Sequence, residues 1–154
     1  MLSFSVFNAR SLNNKLPDLH YLLRSQEFDV LCVTETWLHE SVLNSTILDG
    51  SPYSLFRSDR QTGHGGGGVC IFTNNNTTKV ISISVPPKFS SLELCVVDLM
   101  SRGTRLHLFV CYRTPSADSD LAAVQYLCNM RDCLDDLFPA NSSVIICGDV
   151  NLLT

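Results

Sequence analysis

Short apolar runs separated by turn residues dominate this chain, and they predict a protein built largely from strands. Residues 3–7 end at Asn8 and alternate in polarity, while residues 29–34 are apolar on both faces, as in a central strand. Turn-like segments divide the middle of the chain, so we expect antiparallel hairpins there. The remaining predicted strands are residues 53–57, 68–73, 78–85, 92–99, 105–112 and 143–147.

Two segments show apolar residues at helical spacing. We expect the first helix to be capped by Asn13 or Asn14 and to end near Gln26, with Pro17 tolerated in its first turn. The second predicted helix covers residues 119–137. Its predicted buried face consists of Leu121, Val124, Leu127, Cys128, Met130 and Leu134. The strand–helix–strand beginning favours parallel pairing, so the pattern predicts an α/β layered protein with mixed sheets.

Composition narrows the class of protein without indicating a substrate. A chain of 154 residues with 45% hydrophobic residues fits one folded domain, and its net charge of −4 offers no overall attraction for nucleic acid. Binding of phosphate groups would therefore need a local basic patch or a metal ion. Seven cysteines without a CxxC pair favour a reducing compartment. We see no signal peptide and no membrane-length apolar run, so we expect an intracellular protein that does not bind a membrane.

Carboxylates follow two of the apolar runs at the point where a strand would end. Glu35 follows the predicted central strand, and Asp149 with Asn151 follows the last one. In an extended segment, the side chains of Asp149 and Asn151 would lie on the same side. Mg²⁺ prefers oxygen ligands, so these residues together suggest a metal-dependent hydrolytic site. The plainer alternatives are a solvated acid at the end of one strand and an ordinary turn after the other.

Three more polar residues end apolar runs and can add to such a site. Asn8 can contact a phosphate oxygen or a metal-coordinated water, or it can form an Asx turn into the first helix. Tyr112 and Arg113 can stabilise a pentavalent phosphate by hydrogen bonding and charge. Their plainer alternatives are an edge aromatic and a surface charge.

The glycine-rich segment 63–68 is not a nucleotide-binding phosphate loop, because no Gly-Lys-Ser/Thr occurs and the following residues are strand-like. We expect a flexible turn into a closely packed strand. Arg57 and Arg60 could contact a nucleic-acid backbone beside it, whereas His64 is expected to be a loop residue. Trp37 is expected to pack against the wall beneath the site rather than stack on a base.

The order of these strand-end residues resembles the endonuclease/exonuclease/phosphatase superfamily. The local sequence motifs are most similar to those of the endonuclease domains of LINE-type non-LTR retrotransposons. The segments that carry the resemblance are 7–12 (Phe-Asn-Ala-Arg-Ser-Leu), 34–38 (Thr-Glu-Thr-Trp-Leu), 57–60 with 66–69, 111–115 (Cys-Tyr-Arg-Thr-Pro) and 148–151 (Gly-Asp-Val-Asn). The resemblance covers essentially all of residues 1–154 and implies one DNase-like domain, a four-layer αββα sandwich.

The resemblance also implies a metal-dependent phosphodiesterase that uses Mg²⁺, with Mn²⁺ as an alternative. Glu35 would bind the metal, with Asn8 beside it. Asp149 would orient or deprotonate the attacking water, Asn151 would hold the scissile phosphate, and Tyr112 would stabilise the transition state. The residues expected to contact the substrate are Asn8, Arg57, Arg113 and Asn151.

The chain departs from the family pattern in two places. Pro115 stands where related enzymes often have an asparagine, and no counterpart of the family's later aspartate or terminal Ser-Asp-His motif follows Asn151. We therefore expect a domain that is incomplete at its C-terminus, with an unpaired sheet edge and exposed apolar surface. Such a fragment is expected to be inactive alone.

Three functions remain open from the sequence. The first is a DNA-nicking endonuclease of a retrotransposon that primes reverse transcription at its target, with a reverse-transcriptase domain downstream and a nuclear location. The second is a phosphatase of the same fold, because the same metal and aspartate serve either substrate. The third is a non-catalytic relic.

Overall fold

The computed structural model describes residues 2–60, 66–101, 103–115 and 120–151. The helices of this part are α1 (Leu16–Ser25), α2 (Asn44–Leu48) and α3 (Asp120–Leu137). Its strands are β1 (Phe4–Asn8), β2 (Val30–Thr34), β3 (Tyr53–Ser58), β4 (Val69–Asn74), β5 (Lys79–Ile83), β6 (Glu93–Ser101), β7 (Thr104–Tyr112) and β8 (Val144–Asp149). No helix within the described segments is both long enough and apolar enough to span a membrane.

The strands form two four-stranded sheets, both of them mixed. The first sheet has the order β1-β2-β4-β3, with β1 parallel to β2 and the other pairs antiparallel. The second has the order β5-β6-β7-β8, with β7 parallel to β8 and the other pairs antiparallel. The predicted mixed sheets, the parallel first pair and the central position of β2 are therefore confirmed.

Three apolar cores stack these elements into four layers. The first core joins α1 to the first sheet, with Leu23 buried between them. Side chains alternate along β7, so Leu108 and Val110 belong to the core between the sheets, while Phe109 and Cys111 belong to the core against α3. The layers follow in the order helix, sheet, sheet, helix, which confirms the predicted αββα sandwich.

The chain changes sheet between β4 and β5, so the predicted run of consecutive hairpins was wrong at this point. Asn74 is buried at the end of β4, and its carbonyl oxygen accepts hydrogen bonds from the N–H groups of Thr77 (3.2 Å) and Thr78 (3.0 Å). Its side-chain oxygen also accepts the N–H of Asn76 at 3.0 Å. This compact turn directs β5 into the second sheet. Turn residues indicate a reversal of the chain but not which sheet receives the next strand.

The start of α1 also differs from the prediction. Lys15 is its N-cap residue, and no side chain caps the helix. Asn13 does not cap the helix, because its amide nitrogen donates to the carbonyl oxygen of Trp37 at 3.1 Å. The short helix α2 was not predicted; Ile47 anchors it in the first core.

The buried face of α3 was only partly predicted. Met130 is buried as expected, but Leu121, Val124 and Leu127 are exposed. Cys133 is fully buried and was missed. Apolar residues lie on several sides of this helix, so their spacing did not identify the packed side.

The parallel pairs bring the polar strand ends to common edges. Asn8 and Thr34 are register partners at the ends of β1 and β2, and Tyr112 and Asp149 are register partners at the ends of β7 and β8. Parallel neighbours run in the same direction, so their carboxyl ends share an edge. Each sheet thus presents one pair of polar strand ends, with Glu35 directly after the first pair.

Gly148 lies where β8 passes closest to β7, and it generates a first prediction. Its φ is 136°, and a Cβ there would overlap the carbonyl oxygen of Cys111, a backbone atom held in the sheet. We expect Gly148→Ala to lower the free energy of unfolding by about 3 kcal/mol or more, from the clash together with the backbone strain. Urea denaturation measures the loss.

Gly50→Ala is the matched control for this experiment. Gly50 also has a positive φ, 70°, but no atom lies within 4 Å of the position where its Cβ would stand. It is therefore expected to lose only about 1 kcal/mol, from backbone strain alone. Equal losses in the two variants would contradict the close approach of β7 and β8 at Gly148.

Candidate metal-dependent active site

Carboxylates from the two sheets converge on the side-chain amide of Asn8. The amide nitrogen donates to Oε1 of Glu35 at 2.8 Å and to Oδ2 of Asp149 at 3.0 Å. The amide oxygen accepts the backbone N–H of Arg10 at 3.0 Å, which is the Asx turn considered as the plainer alternative. Asn8 therefore forms the turn and holds the two carboxylates at the same time.

Glu35 occupies a strained backbone conformation that its neighbours maintain. Its φ is 50°, in the left-handed region that costs a residue other than glycine about 1 kcal/mol or more. The carbonyl oxygen of Glu35 accepts the N–H of Ser11 at 2.9 Å, and the next N–H, of Thr36, donates to the carbonyl oxygen of Gly68 at 3.2 Å. These bonds turn the chain at the end of β2 and aim the carboxylate at the second sheet.

Tyr112 adds a phenol from the second sheet. Its hydroxyl donates to Oε1 of Glu35 at 3.0 Å, and the residue is only 4% exposed. Burial raises the pKa of this phenol, and the hydrogen bond to the Glu35 carboxylate raises it further. The hydroxyl consequently keeps its proton at neutral pH and can act as a hydrogen-bond donor.

The prediction that Asp149 and Asn151 share one side of an extended segment was wrong. Asn151 has a φ of 39°, and its backbone N–H folds back to Oδ1 of Asp149 at 3.3 Å. Its side-chain nitrogen donates to the carbonyl oxygen of Arg113 at 2.7 Å. The short polar side chain of asparagine tolerates this conformation, which turns its amide towards the loop after β7. That Asn151 holds a phosphate remains a prediction.

The two predicted substrate-binding arginines are both engaged within the protein. Arg57 pairs with Asp59 and donates to the carbonyl oxygens of His39 and Val42 at 2.7 and 2.8 Å. Arg113 is buried and donates to the carbonyl oxygen of Asn151 at 2.8 Å. The described hydrogen bonds of Arg57 stabilise the segment after β2 and do not reach the carboxylate pair.

Thr36, Trp37, Gly67, Gly68 and Glu93 are linked by hydrogen bonds and form one side of the site, which we call the rim. Gly68 fits only without a side chain, because a Cβ would lie 2.6 Å from the hydroxyl oxygen of Thr36. Trp37 is 42% exposed, so the prediction that it packs beneath the site was wrong for much of its indole. His64 lies outside the described residues. The carboxylate of Glu93 accepts the backbone N–H of Gly68 at this rim. This residue was not predicted, because a lone acid at the start of a strand carries no distinctive signal.

The donor set fits a hard divalent cation. Glu35 and Asp149 provide carboxylate oxygens beside the same amide, and Mg²⁺ is usually held by one or two carboxylates with water and substrate completing its shell. Within the described ranges, no three His, Cys, Asp or Glu residues are grouped so that they could hold a metal ion. The oxygen donors present therefore fit a hard divalent cation that takes its other ligands from water and substrate.

Comparison with known sequences identifies a family. The sequence profile of the endonuclease/exonuclease/phosphatase family matches residues 6–153. No curated protein shows significant sequence similarity to the chain.

Solved structures share the fold at low sequence identity. An AP endonuclease from Archaeoglobus fulgidus is 20% identical, with a TM-score of 0.67 over 96% of this chain and 56% of that one. TDP2 of D. rerio, complexed with single strand DNA product, is 17% identical, with a TM-score of 0.68 over 99% and 62%. The endonuclease domain of TRAS1, a telomere-specific non-LTR retrotransposon, is 16% identical, with a TM-score of 0.69 over 99% and 62%. The chain thus spans 56 to 62% of the length of these structures.

The raised pKa of Tyr112 generates a second prediction. The native state holds the phenolic proton more tightly than the unfolded chain, so this contribution to stability is complete below a pH of about 10 and declines above it. Tyr112→Phe has no proton to lose at this position. We expect the free energy of unfolding of the wild type, relative to Tyr112→Phe, to decrease between about pH 9 and about pH 11.

Urea denaturation at several pH values measures this difference. The other titrating groups are shared by the two proteins, so to first order their contributions cancel in the comparison. A difference that stays constant across the range would contradict the buried, carboxylate-bonded position of the phenol.

Proposed function

Because the chain belongs to the endonuclease/exonuclease/phosphatase family, we propose that it carries the metal-binding part of a DNA phosphodiesterase. The observation that carries the proposal is the convergence of Glu35 and Asp149, from different sheets, on the amide of Asn8. Two carboxylates this close repel each other, and a bound cation relieves that repulsion. A purely structural role gives no reason to bring them together.

Each residue of the cluster has a distinct task in the proposed reaction. A bound Mg²⁺ supplies positive charge that neutralises the phosphate as it is attacked. Glu35 holds the cation, while Asp149 orients the attacking water and accepts its proton. Asn8 fixes both carboxylates, and Tyr112 fixes Glu35 through its hydroxyl. In the proposed reaction this hydroxyl would turn from Glu35 to the phosphate oxygen on which negative charge develops. Water attacks phosphorus in line and the P–O3′ bond breaks. The leaving O3′ takes up a proton from solvent, so one strand ends in a 3′-hydroxyl and the other in a 5′-phosphate.

We further propose that the protein is the DNA-nicking endonuclease of a retrotransposon. Two observations support this proposal: the Thr-Glu-Thr-Trp-Leu motif at residues 34–38, and the fold shared with the TRAS1 endonuclease domain. The 3′-hydroxyl would then prime reverse transcription, by a reverse-transcriptase domain downstream in the intact element and in the nucleus. Sequencing downstream of the coding region tests this part directly, because a genuine stop codon without such a domain would contradict it.

The third prediction concerns the carboxylates themselves. Glu35→Gln and Asp149→Asn each remove one charged oxygen ligand and keep the side-chain shape. We expect each to weaken Mg²⁺ binding to the 154-residue chain by about 10-fold or more, measured by calorimetry. In a version extended to the length of the relatives, plasmid nicking should fall by about 100-fold or more.

Glu27→Gln is the matched control, because Glu27 is exposed just before β2, at the end of that strand remote from Glu35. It should bind Mg²⁺ and nick DNA like the wild type. Undiminished nicking by both active-site variants would overturn the assignment. Hydrolysis of a phosphoinositide in place of plasmid would identify a phosphatase of the same fold.

The fourth prediction follows from the edge of β8, which among the described strands pairs only with β7. β8 ends the second sheet, and Ile146 on it is 48% exposed. We propose that further polypeptide, present in the longer relatives, packs there and supplies remaining catalytic groups. The 154-residue chain is therefore expected to nick plasmid at least about 100-fold more slowly than the extended version.

The control for the fourth prediction is the extended version carrying Asp149→Asn, which should be as inactive as the short chain. Robust Mg²⁺-dependent nicking by the short chain would contradict the prediction. Absence of nicking by both lengths, with intact Mg²⁺ binding, would favour a non-catalytic relic.

A further inference from the structure

An ion pair outside the carboxylate cluster joins the two sheets at the rim of the site. Arg60 follows β3 of the first sheet, and Glu93 begins β6 of the second. Nε of Arg60 donates to Oε1 of Glu93 at 2.7 Å, and the two side chains are only 18% and 20% exposed. Both residues line a cavity of about 650 Å³, so open space rather than tight packing lies beside the pair.

The pair reaches Glu35 through Gly67 and Gly68. The second carboxylate oxygen of Glu93 accepts the backbone N–H of Gly68 at 2.6 Å. The carbonyl oxygens of Gly68 and Gly67 in turn accept the N–H groups of Thr36 (3.2 Å) and Trp37 (3.0 Å). Those are the two residues directly after Glu35, so Glu93 anchors the loop against which the strained turn at Glu35 is held.

The pair also reaches the second half of the site. The guanidinium of Arg60 lies over the ring of Tyr112, with its carbon 5.8 Å from the ring centroid. It also donates to the hydroxyl of Thr114 at 2.6 Å, two residues beyond that tyrosine. Arg60 therefore touches both the phenol that bonds to Glu35 and the loop that follows it.

Gly67 leaves room for this guanidinium. A Cβ on Gly67 would overlap the guanidinium group of Arg60. The absence of a side chain at this position is thus required for the pair to form, in addition to the positive φ of 73°.

We propose that Arg60 and Glu93 are positioning residues, which set the Glu35 turn and the Tyr112 phenol at their working separation across the two sheets. This inference rests on the proposed function, since that separation matters only if the pocket binds a cation and a phosphate. Neither residue touches the reacting atoms. Their effect is transmitted through the Gly67–Gly68 carbonyls on one side and through the aromatic ring on the other.

The single tryptophan makes the position of the loop measurable without any activity assay. Trp37 is the only tryptophan of the chain, and its backbone N–H donates to the carbonyl oxygen of Gly67 in the loop that Glu93 anchors. We expect Glu93→Ala to release this loop, which gives a red-shifted emission and stronger quenching by acrylamide. Gly67→Ala should give the same change, because it displaces Arg60 from the pair.

Graded variants separate positioning from simple loss of charge. Glu93→Gln keeps an oxygen for the Gly68 N–H but loses the charge facing Arg60, so its emission should lie between the wild type and Glu93→Ala. Arg60→Lys keeps the charge but not the two-pronged contact with Glu93 and Thr114, and should also be intermediate. We expect Mg²⁺ affinity to follow the same order, with a loss of about 10-fold for Glu93→Ala. In the extended protein, kcat should fall with little change in KM.

Lys88→Met is the matched control, because it removes an exposed ion pair with Asp136 that has no described hydrogen bond to the Gly67–Gly68 loop, Arg60 or Glu93. It should leave emission, Mg²⁺ affinity and kcat unchanged. If Glu93→Ala lowers only the free energy of unfolding and otherwise behaves like Lys88→Met, the pair is merely structural and the proposal is overturned. If the wild type binds no Mg²⁺, the proposed function fails, while the tryptophan emission still decides whether the pair positions the loop.

Discussion

The architecture depends on keeping two like charges close together at the junction of two separate sheets. Glu35 and Asp149 repel each other, and nothing in the hydrophobic packing of the layers rewards their approach. The amide of Asn8 compensates by donating one hydrogen to each carboxylate, and the phenol of Tyr112 donates another to Glu35. The cluster is thus supplied with donors for negative charge before any cation arrives, which is how preorganised electrostatic sites operate.

Several local features have a common explanation when considered from this cluster. The left-handed turn at Glu35 rotates a carboxylate away from the direction of its strand, and Asn151 folds back on Asp149. Gly148 permits β8 to approach β7 closely enough to place Asp149 beside Tyr112. Backbone strain is therefore concentrated where the polar groups must meet, while the apolar layers remain regular.

The sequence predicted the regular part of this protein better than its irregular part. The apolar runs of β2 and β7 identify buried strands, and the strand–helix–strand start identifies the parallel pair, because both depend on local periodicity. The strand-end positions of Glu35 and Asp149 were also predictable, since a polar residue directly after a buried run stands out. Their convergence on Asn8 was expected only from order and family resemblance.

The predictions that failed concern contacts between residues distant in sequence. Asn13 was expected to cap a helix, yet its amide holds the backbone of Trp37. Arg57 was expected to contact a nucleic-acid backbone, which stays a prediction, and the structure shows its guanidinium donating to the carbonyl oxygens of His39 and Val42. In each case the residue type is compatible with both roles, and only the tertiary neighbours decide between them. Glu93 shows the converse, because an inconspicuous acid acquires its importance from a loop 25 residues away.

The hydrogen bond between Asn8 and Asp149 joins positions 141 residues apart. Such a contact closes nearly the entire polypeptide into one loop, and pairings of this range form late and slowly in folding. All four strands of the first sheet lie within residues 4–74, whereas Asp149 ends the last strand of the second sheet. During synthesis on the ribosome, Asn8 and Glu35 therefore emerge well before Asp149, and the carboxylate pair is complete only when β8 has been made.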